Sequence, residues 1–445
     1  MFKKINNILD NFFLDFNSNS KKLFLIYGLY IIFISASSLL FAHLFSQKFD
    51  VMDNDFNIIL KNISFEFGEL IENLYLSKGY FHEVNGNKHY LKKLPAIPFL
   101  ILFISKLTLN YYLVIIIKNL IIFTIYFFTT YYLLRNFVNN KIIFLILIVP
   151  TILPYNLSVA LNYVYADSIL AIFLPLLYLS LISQSKLKII ILSLILFVLY
   201  FSKSTMVFIL FLIPFLVFIL EKKYNFLTRI MPFIFVIFSI CVWGFFGLSK
   251  TGTFPVGNKI LSANAMGLSY VLNNDFKNYY PNKSTDLITN QLTSQIFYSE
   301  WDEFEHYDKR NKKYLKENFT SYLKDCFLKI NFIFFGIKRD SSFPDENGNL
   351  NNEIRISMIF NKIILNLSVL LSIFIFIKNL KNLNAYKDDF YFLIIVALGL
   401  LPHVIVWATS KHLIGVINIS IIYLLILFQK DYIKKKINFS KKFRG

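Results

Sequence analysis

Long apolar runs separated by short polar segments recur along most of the chain. The first extends from Leu23 to Phe45. Nine more runs follow, near residues 111–134, 142–157, 166–184, 187–201, 204–220, 228–248, 357–377, 389–408 and 412–429. Most approach the length of about 20 residues that a helix needs to cross hydrocarbon, and lipid requires each backbone polar group to be satisfied within its own segment. The pattern therefore predicts an all-α integral membrane protein with about ten transmembrane helices.

A shorter apolar run, Leu94 to Leu107, begins with the sequence LPAIP. Its length favours an interfacial or re-entrant helix over a crossing. If it does not cross, residues 46–110 and 249–356 are two large outside segments. An amphipathic pattern around Phe56 to Leu76 predicts one or two juxtamembrane helices on the membrane surface in the first of them.

Basic residues support this topology. The short loops and tails then placed inside the cell hold 21 of the 46 lysines and arginines, as the positive-inside rule expects. Both termini are accordingly predicted to be cytoplasmic. The chain divides into residues 1–248, a transmembrane module with the first outside segment; residues 249–356, the second outside segment; and residues 357–445, the last helices and a basic tail.

Composition agrees with a protein of the bilayer. Hydrophobic residues make up 56% of the chain and charged residues only 16%, against about 25% charged in soluble domains. These values exclude an ordinary cytosolic enzyme, and two cysteines exclude a disulfide scaffold. Much of the +19 formal charge lies beside the predicted spans. This charge therefore indicates the orientation of the chain in the membrane, and no nucleic-acid partner is expected.

Several stretches resemble, in the same order, the GT-C glycosyltransferases that use polyprenyl-phosphate sugars, among them the protein O-mannosyltransferases and the lipid A aminoarabinose transferase. IENLYLSKGYFHEVNGNKHYLKKLPAIPFLI resembles their first periplasmic loop. Further similar stretches are PYNLSVALNYVYADSIL, LYFSKSTMVFILFLIPF, SKHLIGVINISIIYLL and the helix-forming YDKRNKKYLKENFTSYLKDCFLKINF. The resemblance covers most of the chain and implies a GT-C-like fold in the cell (inner) membrane.

The activity that this resemblance implies is transfer of a sugar, with inversion, from a polyprenyl-phosphate donor to a glycan, lipid or protein acceptor on the outer face. Such a reaction needs a carboxylate to take the acceptor proton and cations to hold the leaving phosphate. In the family an acid of the first loop is the base. Register favours Glu66, while Glu69, Asp53 and Asp55 are alternatives; each also fits a solvated charged face.

A second carboxylate is expected at Asp167, in the sequence YADS at the outer end of a span. The resemblance places it where the family has Glu or Asp, to orient the acceptor or bind a metal; an N-cap role is the alternative. Tyr163 and Tyr165 nearby are candidates for sugar stacking or for packing. No motif in the sequence defines a metal site, and the sequence leaves open whether a divalent metal is a cofactor.

Cations for the donor phosphate are expected near the outer face. Lys93 matches the family's Lys-Pro-Pro, and snorkelling at the interface is the alternative role. Lys118 lies inside a span, where charge usually faces a polar cavity or a partner. The complete set of phosphate candidates is Lys92, Lys93, Lys118, Lys203, Lys411 and His412.

Two other classes are considered. A polysaccharide polymerase or ligase also has many spans and a large outside loop, but is expected to concentrate Arg and His in late loops. A transporter of lipid-linked sugars is expected to have ionisable residues at the midplane and two similar halves. The sequence displays neither pattern.

Overall fold

Fifteen α-helices and one two-stranded hairpin form the described part of the computed structural model, which comprises residues 20–48, 67–84, 86–91, 93–162, 166–203, 206–256, 299–336, 352–378, 387–405 and 410–442. The first half contains α1 (Ser20–Lys48), α2 (Gly68–Tyr75), β1 (His82–Val84), β2 (Asn87–His89), α3 (Ala96–Ser105), α4 (Tyr111–Leu134), α5 (Asn140–Ile148), α6 (Pro154–Leu161), α7 (Asp167–Ile182) and α8 (Lys188–Ser202). The second half contains α9 (Val207–Leu220), α10 (Phe226–Thr251), α11 (Glu300–Glu317), α12 (Phe319–Phe335), α13 (Asn352–Lys378), α14 (Lys387–Ile405) and α15 (Ile414–Lys442).

The predicted apolar runs are helical. Among the residues that the structure describes, five helices are long and apolar enough to cross a membrane, namely α1, α4, α10, α13 and α14. Shorter apolar helices of 10 to 17 residues are α3, α7, α8, α9 and residues 414–429 of α15. The chain is therefore an all-α, membrane-embedded protein, as predicted. The total of ten crossings stays a prediction.

One predicted helix is broken. Residues 142–157 were expected to form a single span, but α5 and α6 meet at an angle of 74°. A 3₁₀ turn, Val149–Thr151, connects them, and Pro154 begins α6. Proline has no amide hydrogen to donate and its ring clashes with the preceding turn, so Pro150 and Pro154 end one helix and start another.

Helix α7 is the centre of the bundle. All sixteen of its residues are buried, and α4, α6, α8, α14 and α15 pack around it. An apolar sequence on every side of a helix is typical of such an enclosed position. Gly415 of α15 lies directly against the carbonyl oxygen of Leu170, where a Cβ atom would come within 2.7 Å of that oxygen. The missing side chain thus allows α15 to approach α7 closely.

Helices α4, α5 and α10 each have an asparagine at the N-cap position. The side chains of Asn110, Asn139 and Asn225 accept hydrogen bonds from backbone amides three residues later, at 3.1, 2.9 and 2.8 Å. Such caps satisfy amides that have no partner within the helix. The local sequence therefore determines where α4, α5 and α10 start.

The described part of the first outside segment combines α2 with a hairpin. His82 lies opposite His89 in the antiparallel pair. Nδ2 of Asn73, in α2, donates to the carbonyl oxygen of Phe81 over 2.9 Å, which fixes the helix to the hairpin. A helix is confirmed over Gly68–Tyr75, while its position on the membrane surface stays a prediction; the rest of its predicted range before residue 67 lies outside the described residues.

The two outside segments are joined through α11. Glu300 accepts a hydrogen bond of 2.6 Å from the amide of Leu91, and Oε2 of Glu303 lies 3.9 Å from Nδ1 of His89. All three side chains, those of Glu300, Glu303 and His89, are buried. The second outside segment therefore packs on the first.

Candidate functional site

Three ionisable side chains converge where α7 begins. Asp167 is the first residue of α7, Lys203 follows the last residue of α8, and His412 lies in a 3₁₀ turn, Ser410–Leu413, before α15. Lys203 forms a short ion pair with Oδ1 of Asp167. Nδ1 of His412 lies 3.0 Å from the same oxygen and 2.6 Å from Nζ of Lys203. We call these three residues the outer cluster.

The capping role considered for Asp167 from the sequence is not observed. Ala166 occupies the N-cap position and no side chain caps the helix. The Asp167 carboxylate contacts one cation and one imidazole instead. The chain thus uses this acid to hold two basic side chains that lie 36 and 245 residues away in sequence.

Exposure within the outer cluster is uneven. The Asp167 side chain is 4% exposed, whereas Lys203 and His412 are 15% and 19% exposed. The imidazole of His403, in α14, stacks on that of His412 with 5.4 Å between ring centroids. Because the buried member is the acid and the more accessible members are the bases, the outer cluster is suited to meet an anion.

Helices α7 and α8, whose ends hold Asp167 and Lys203, also help to line an apolar cavity of about 410 Å³. Its walls come from α3, α4, α7, α8 and α10, and its lining is almost wholly apolar. Ile169 and Phe173 of α7 and Phe201 of α8 are lining residues and follow Asp167 or precede Lys203 by a few positions. The same two helices therefore carry members of the outer cluster and form part of the cavity wall.

Lys93 lies at the α3 side of the same cavity. Pro95 and Ala96, two and three residues further on, line it. The carbonyl oxygen of Lys93 accepts a hydrogen bond of 2.8 Å from the hydroxyl of Tyr80, and its ammonium lies 5.8 Å from the centroid of the Phe67 ring. Burial, with the nearby Glu300 carboxylate, raises the pKa of Tyr80, so this hydroxyl remains a donor at physiological pH.

Lys118 has a different environment. It is fully buried in α4, and its ammonium donates to Oδ1 of Asn119 at 3.0 Å, to the carbonyl of Asn162 at 2.8 Å and to Oγ of Ser168 at 3.2 Å. An ammonium has three protons, and all three have protein acceptors. Contact with a phosphate would require one of these bonds to break.

The first-loop acids are only partly described. Glu69 accepts a hydrogen bond from the amide of Glu83 at 2.5 Å, and its carboxylate lies 3.5 Å from Nδ1 of His82, so its contacts fix α2 to the hairpin. The remaining candidates lie outside the described residues, namely Asp53, Asp55, Glu66, Lys92, Tyr163 and Tyr165. Lys411 belongs to the described 3₁₀ turn, but its side chain is outside the description.

Two features of this region were missed from the sequence. His403 is buried beside His412, and its position after Pro402 near the end of an apolar run was the available signal. Glu300 and Glu303 are buried acids at the start of α11. Nothing local distinguishes them from the exposed acids that follow. Among the described residues, no three His, Cys, Asp or Glu side chains are grouped to hold a metal ion.

Comparison with protein-family models, with curated proteins and with solved structures finds no match to this chain. Its class therefore rests on the molecule itself. The helices define a membrane-embedded, all-α protein. Within it, a buried acid holds two basic side chains at the edge of an apolar cavity.

Proposed function

We propose that the protein is a membrane glycosyltransferase that transfers a sugar from a polyprenyl-phosphate donor to an acceptor on the outer face of the membrane. The observation that carries the proposal is that α7 and α8 hold members of the outer cluster at their ends and line the apolar cavity with residues a few positions away. A donor of this class has an apolar chain and an anionic headgroup in one molecule. The cavity suits the chain, and the outer cluster suits the phosphate.

The cluster's charges fit a leaving phosphate. With a neutral imidazole, Asp167 and Lys203 cancel; a protonated His412 gives a net charge of +1. Lys203 is partly exposed, so its ammonium can approach a phosphate oxygen while Asp167 holds it in place. Preorganised donors of this kind stabilise charge that develops in the transition state.

The proposed reaction is a single displacement at the anomeric carbon of the sugar. The acceptor oxygen forms a bond to the anomeric carbon, and the bond from that carbon to the phosphate oxygen breaks, leaving its electron pair on the phosphate. The acceptor proton passes to a carboxylate base. Glu66, Asp53 and Asp55 of the first outside segment remain the proposed bases, and Glu69 is the less favoured member because it is engaged with the hairpin. Lys93 is proposed to contact the phosphate from the α3 side.

Transfer in membranes tests this proposal. Membranes containing the protein are incubated with radiolabelled polyprenyl-phosphate sugars, and label in glycan, lipid or protein is measured. Asp167→Asn and Lys93→Ala are expected to reduce transfer at least about 100-fold, since each loses a charged contact in a desolvated site. Movement of the donor between leaflets without transfer would instead indicate a transporter.

Matched variants separate chemistry from folding. Asp389→Asn alters another buried aspartate, whose Oδ1 accepts a 2.7 Å bond from the hydroxyl of Tyr423. Lys88→Ala removes another lysine of the first outside segment, one whose ammonium lies 4.5 Å from the Phe81 ring centroid. These controls are expected to retain transfer per folded molecule. Full activity in both Asp167→Asn and Lys93→Ala would refute the site.

A further inference from the structure

The C-terminus of α12 is closed by two side chains of α13, a candidate membrane span. Nζ of Lys362 lies 2.6 Å from the carbonyl oxygen of Ile333 and 3.3 Å from that of Phe332. Nδ2 of Asn366 lies 2.9 Å from the carbonyl oxygen of Phe334. These carbonyls belong to the last turn, most of whose oxygens have no partner within a helix; that of Phe332 also accepts from the amide of Gly336 over 2.8 Å. A cation at this end also complements the helix dipole.

This contact lies well inside α13, away from the N-terminal end of that helix. Arg355 and Lys378 bracket the apolar part of α13, and Lys362 is the only charged residue between them. Lys362 follows Arg355 by seven residues, which is about 10 Å along a helix. The last turn of α12 therefore lies at a depth where hydrocarbon surrounds α13.

Protein groups satisfy three of the carbonyls at this helix end. In hydrocarbon an unsatisfied carbonyl costs several kcal/mol, and a helix can end there only where protein groups satisfy it. Lys362 is 6% exposed, so its ammonium is directed into the protein toward α12. A cap built from a span is what a helix ending inside a membrane requires.

The outward face of α12 is apolar. Phe319, Leu323, Phe327 and Ile330 follow one another at helical spacing, so they share one side, and they are 38% to 69% exposed. Phe335, at the capped end, is 71% exposed. Polar residues of α12, including Thr320, Lys324 and Asn331, border this stripe.

We propose that α12 is inserted into the outer leaflet, with its apolar stripe against lipid acyl chains and its C-terminus buried deeper than its N-terminus. The exposed apolar side of α13, which includes Ile356, Phe360 and Ile363, continues the same lipid-facing surface. A stripe of large apolar residues beside polar ones is typical of helices at this interface. The preceding helix, α11, is polar and stays in water.

The insertion places lipid next to the outer cluster. The hydroxyl of Tyr322, in α12, lies 3.4 Å from the carbonyl oxygen of Ile405, at the end of α14. That helix also contains His403, which stacks on His412. An outer-leaflet helix thus supports the helix end that holds one side of the outer cluster.

Spin labels measure this depth without any enzymatic assay. Single cysteines replace Phe327, Phe335 or Lys309 in a Cys241→Ser, Cys326→Ser background, and the labelled full-length protein is reconstituted in phosphatidylcholine vesicles. Lys309 is the control, because its side chain in α11 is 77% exposed. Collision rates with oxygen, which enters lipid, and with a water-soluble nickel chelate are compared.

The ratio of oxygen to nickel collisions is expected to be several-fold higher at 327 and at 335 than at 309, and highest at 335. Equal ratios at the three positions would overturn the proposal by placing α12 in water. Low collision rates with both reagents at 327 and 335 would also overturn it, because a protein partner would then cover the stripe. If a label at 335 prevents folding, a label at Leu323 is used and is expected to fall between 309 and 327.

Discussion

At the residue scale, buried basic side chains in this protein are fixed by the chain's own acceptors. Lys118 donates to the carbonyl of Asn162, which directly follows α6, and to the hydroxyl of Ser168, the second residue of α7. Asp167 is the neighbour of Ser168. We therefore assign Lys118 to the positioning of Asp167, in place of the phosphate contact expected from its depth in the span.

Replacement of Lys118 by methionine tests this assignment. Turnover is expected to fall about 10- to 100-fold, since a small displacement of a catalytic group has that effect, while the KM for the lipid donor changes little. Lys118→Arg, which keeps a buried donor, is expected to restore part of the turnover. Initial rates at varied donor concentration measure both constants.

A change in the donor KM alone would instead assign Lys118 to the donor phosphate. A large rise in the donor KM at unchanged turnover would mean that the ammonium contacts phosphate. An equal loss of folded protein and of total activity, with unchanged activity per folded molecule, would reduce its role to stability alone.

The sequence predicted Lys118 as unusual because charge inside a span is costly, but its acceptors could not be read from the chain. One of them is the backbone carbonyl of Asn162, which directly follows the last residue of α6 and lies between two predicted spans. Asp167, Lys203 and His412 were each expected at the site from family resemblance. Their direct contact with one another depends on the packing of α8 and α15 on α7, which no local pattern encodes.

At the element scale, a second buried charge cluster joins the ends of helices at the side predicted to be cytoplasmic. Glu221 follows the last residue of α9 and is 1% exposed. Its Oε1 lies 3.0 Å from Nζ of Lys188, at the start of α8, and also pairs with Lys387, at the start of α14. The hydroxyl of Tyr391 donates to the same oxygen over 3.1 Å. One carboxylate thereby connects three helix ends.

Loss of this carboxylate is expected to destabilise the fold. Glu221→Gln leaves the buried Lys188 without its counter-charge, and breaking a buried pair in this way costs about 3–5 kcal/mol. Thermal unfolding in detergent measures the effect. Glu305→Gln is the matched control, because the 3.2 Å pair of Glu305 with Lys309 is exposed and such pairs contribute about 0–1 kcal/mol. Equal melting temperatures in the two variants would contradict the prediction.

The same pair gives stability a pH dependence. Burial by itself would raise the pKa of Glu221, but the ammonium groups of Lys188 and Lys387 outweigh it and hold the pKa below its ordinary value. A carboxyl whose folded-state pKa is lowered stabilises the fold above its unfolded pKa of about 4.3, and the contribution is lost as the pH falls from that value through the lower folded-state pKa. The wild-type melting temperature should therefore fall more between pH 6 and pH 3 than that of Glu221→Gln.

The sequence indicated the elements of this cluster but not the contact. Glu221 belongs to a loop that reads EKKYNFLTR, where an acid beside lysines is typical of a solvated surface. The partner Lys387 lies 166 residues further on. In the first outside segment, by contrast, the local sequence does indicate the hairpin. Asn85-Gly86 is a strong hairpin sequence, and Gly86 has the positive φ, 80°, that such turns favour.

At the scale of the whole molecule, the charge distribution predicts one orientation in the membrane. The outer cluster lies at one end of α7 and α8, while the Glu221 cluster lies at the other end of α8. Basic loops flank the second cluster, as the positive-inside rule requires of a cytoplasmic side. The two outside segments are joined by the hydrogen bond between Glu300 and Leu91. They belong to the side of the molecule that holds the outer cluster.

Cysteine accessibility tests that orientation. In the background without native cysteines, Lys309→Cys is expected to react with a membrane-impermeant maleimide in intact cells. Lys222→Cys, at an exposed position beside Glu221, is expected to react only after the membrane is opened. Labelling of Lys222→Cys alone in intact cells would mean that the molecule is inverted and that the outer cluster faces the cytoplasm.

The sequence distance within the outer cluster has a consequence for biosynthesis. Asp167 leaves the ribosome long before His412, which is 245 residues later, and α7 must wait in the translocation machinery or the bilayer before α14 and α15 arrive to enclose it. During that interval Lys203, 36 residues downstream, is already in place to neutralise the carboxylate. A nascent chain arrested before α15 would therefore hold half of the charge arrangement and an uncovered central helix, which is the kind of species that membrane quality control removes.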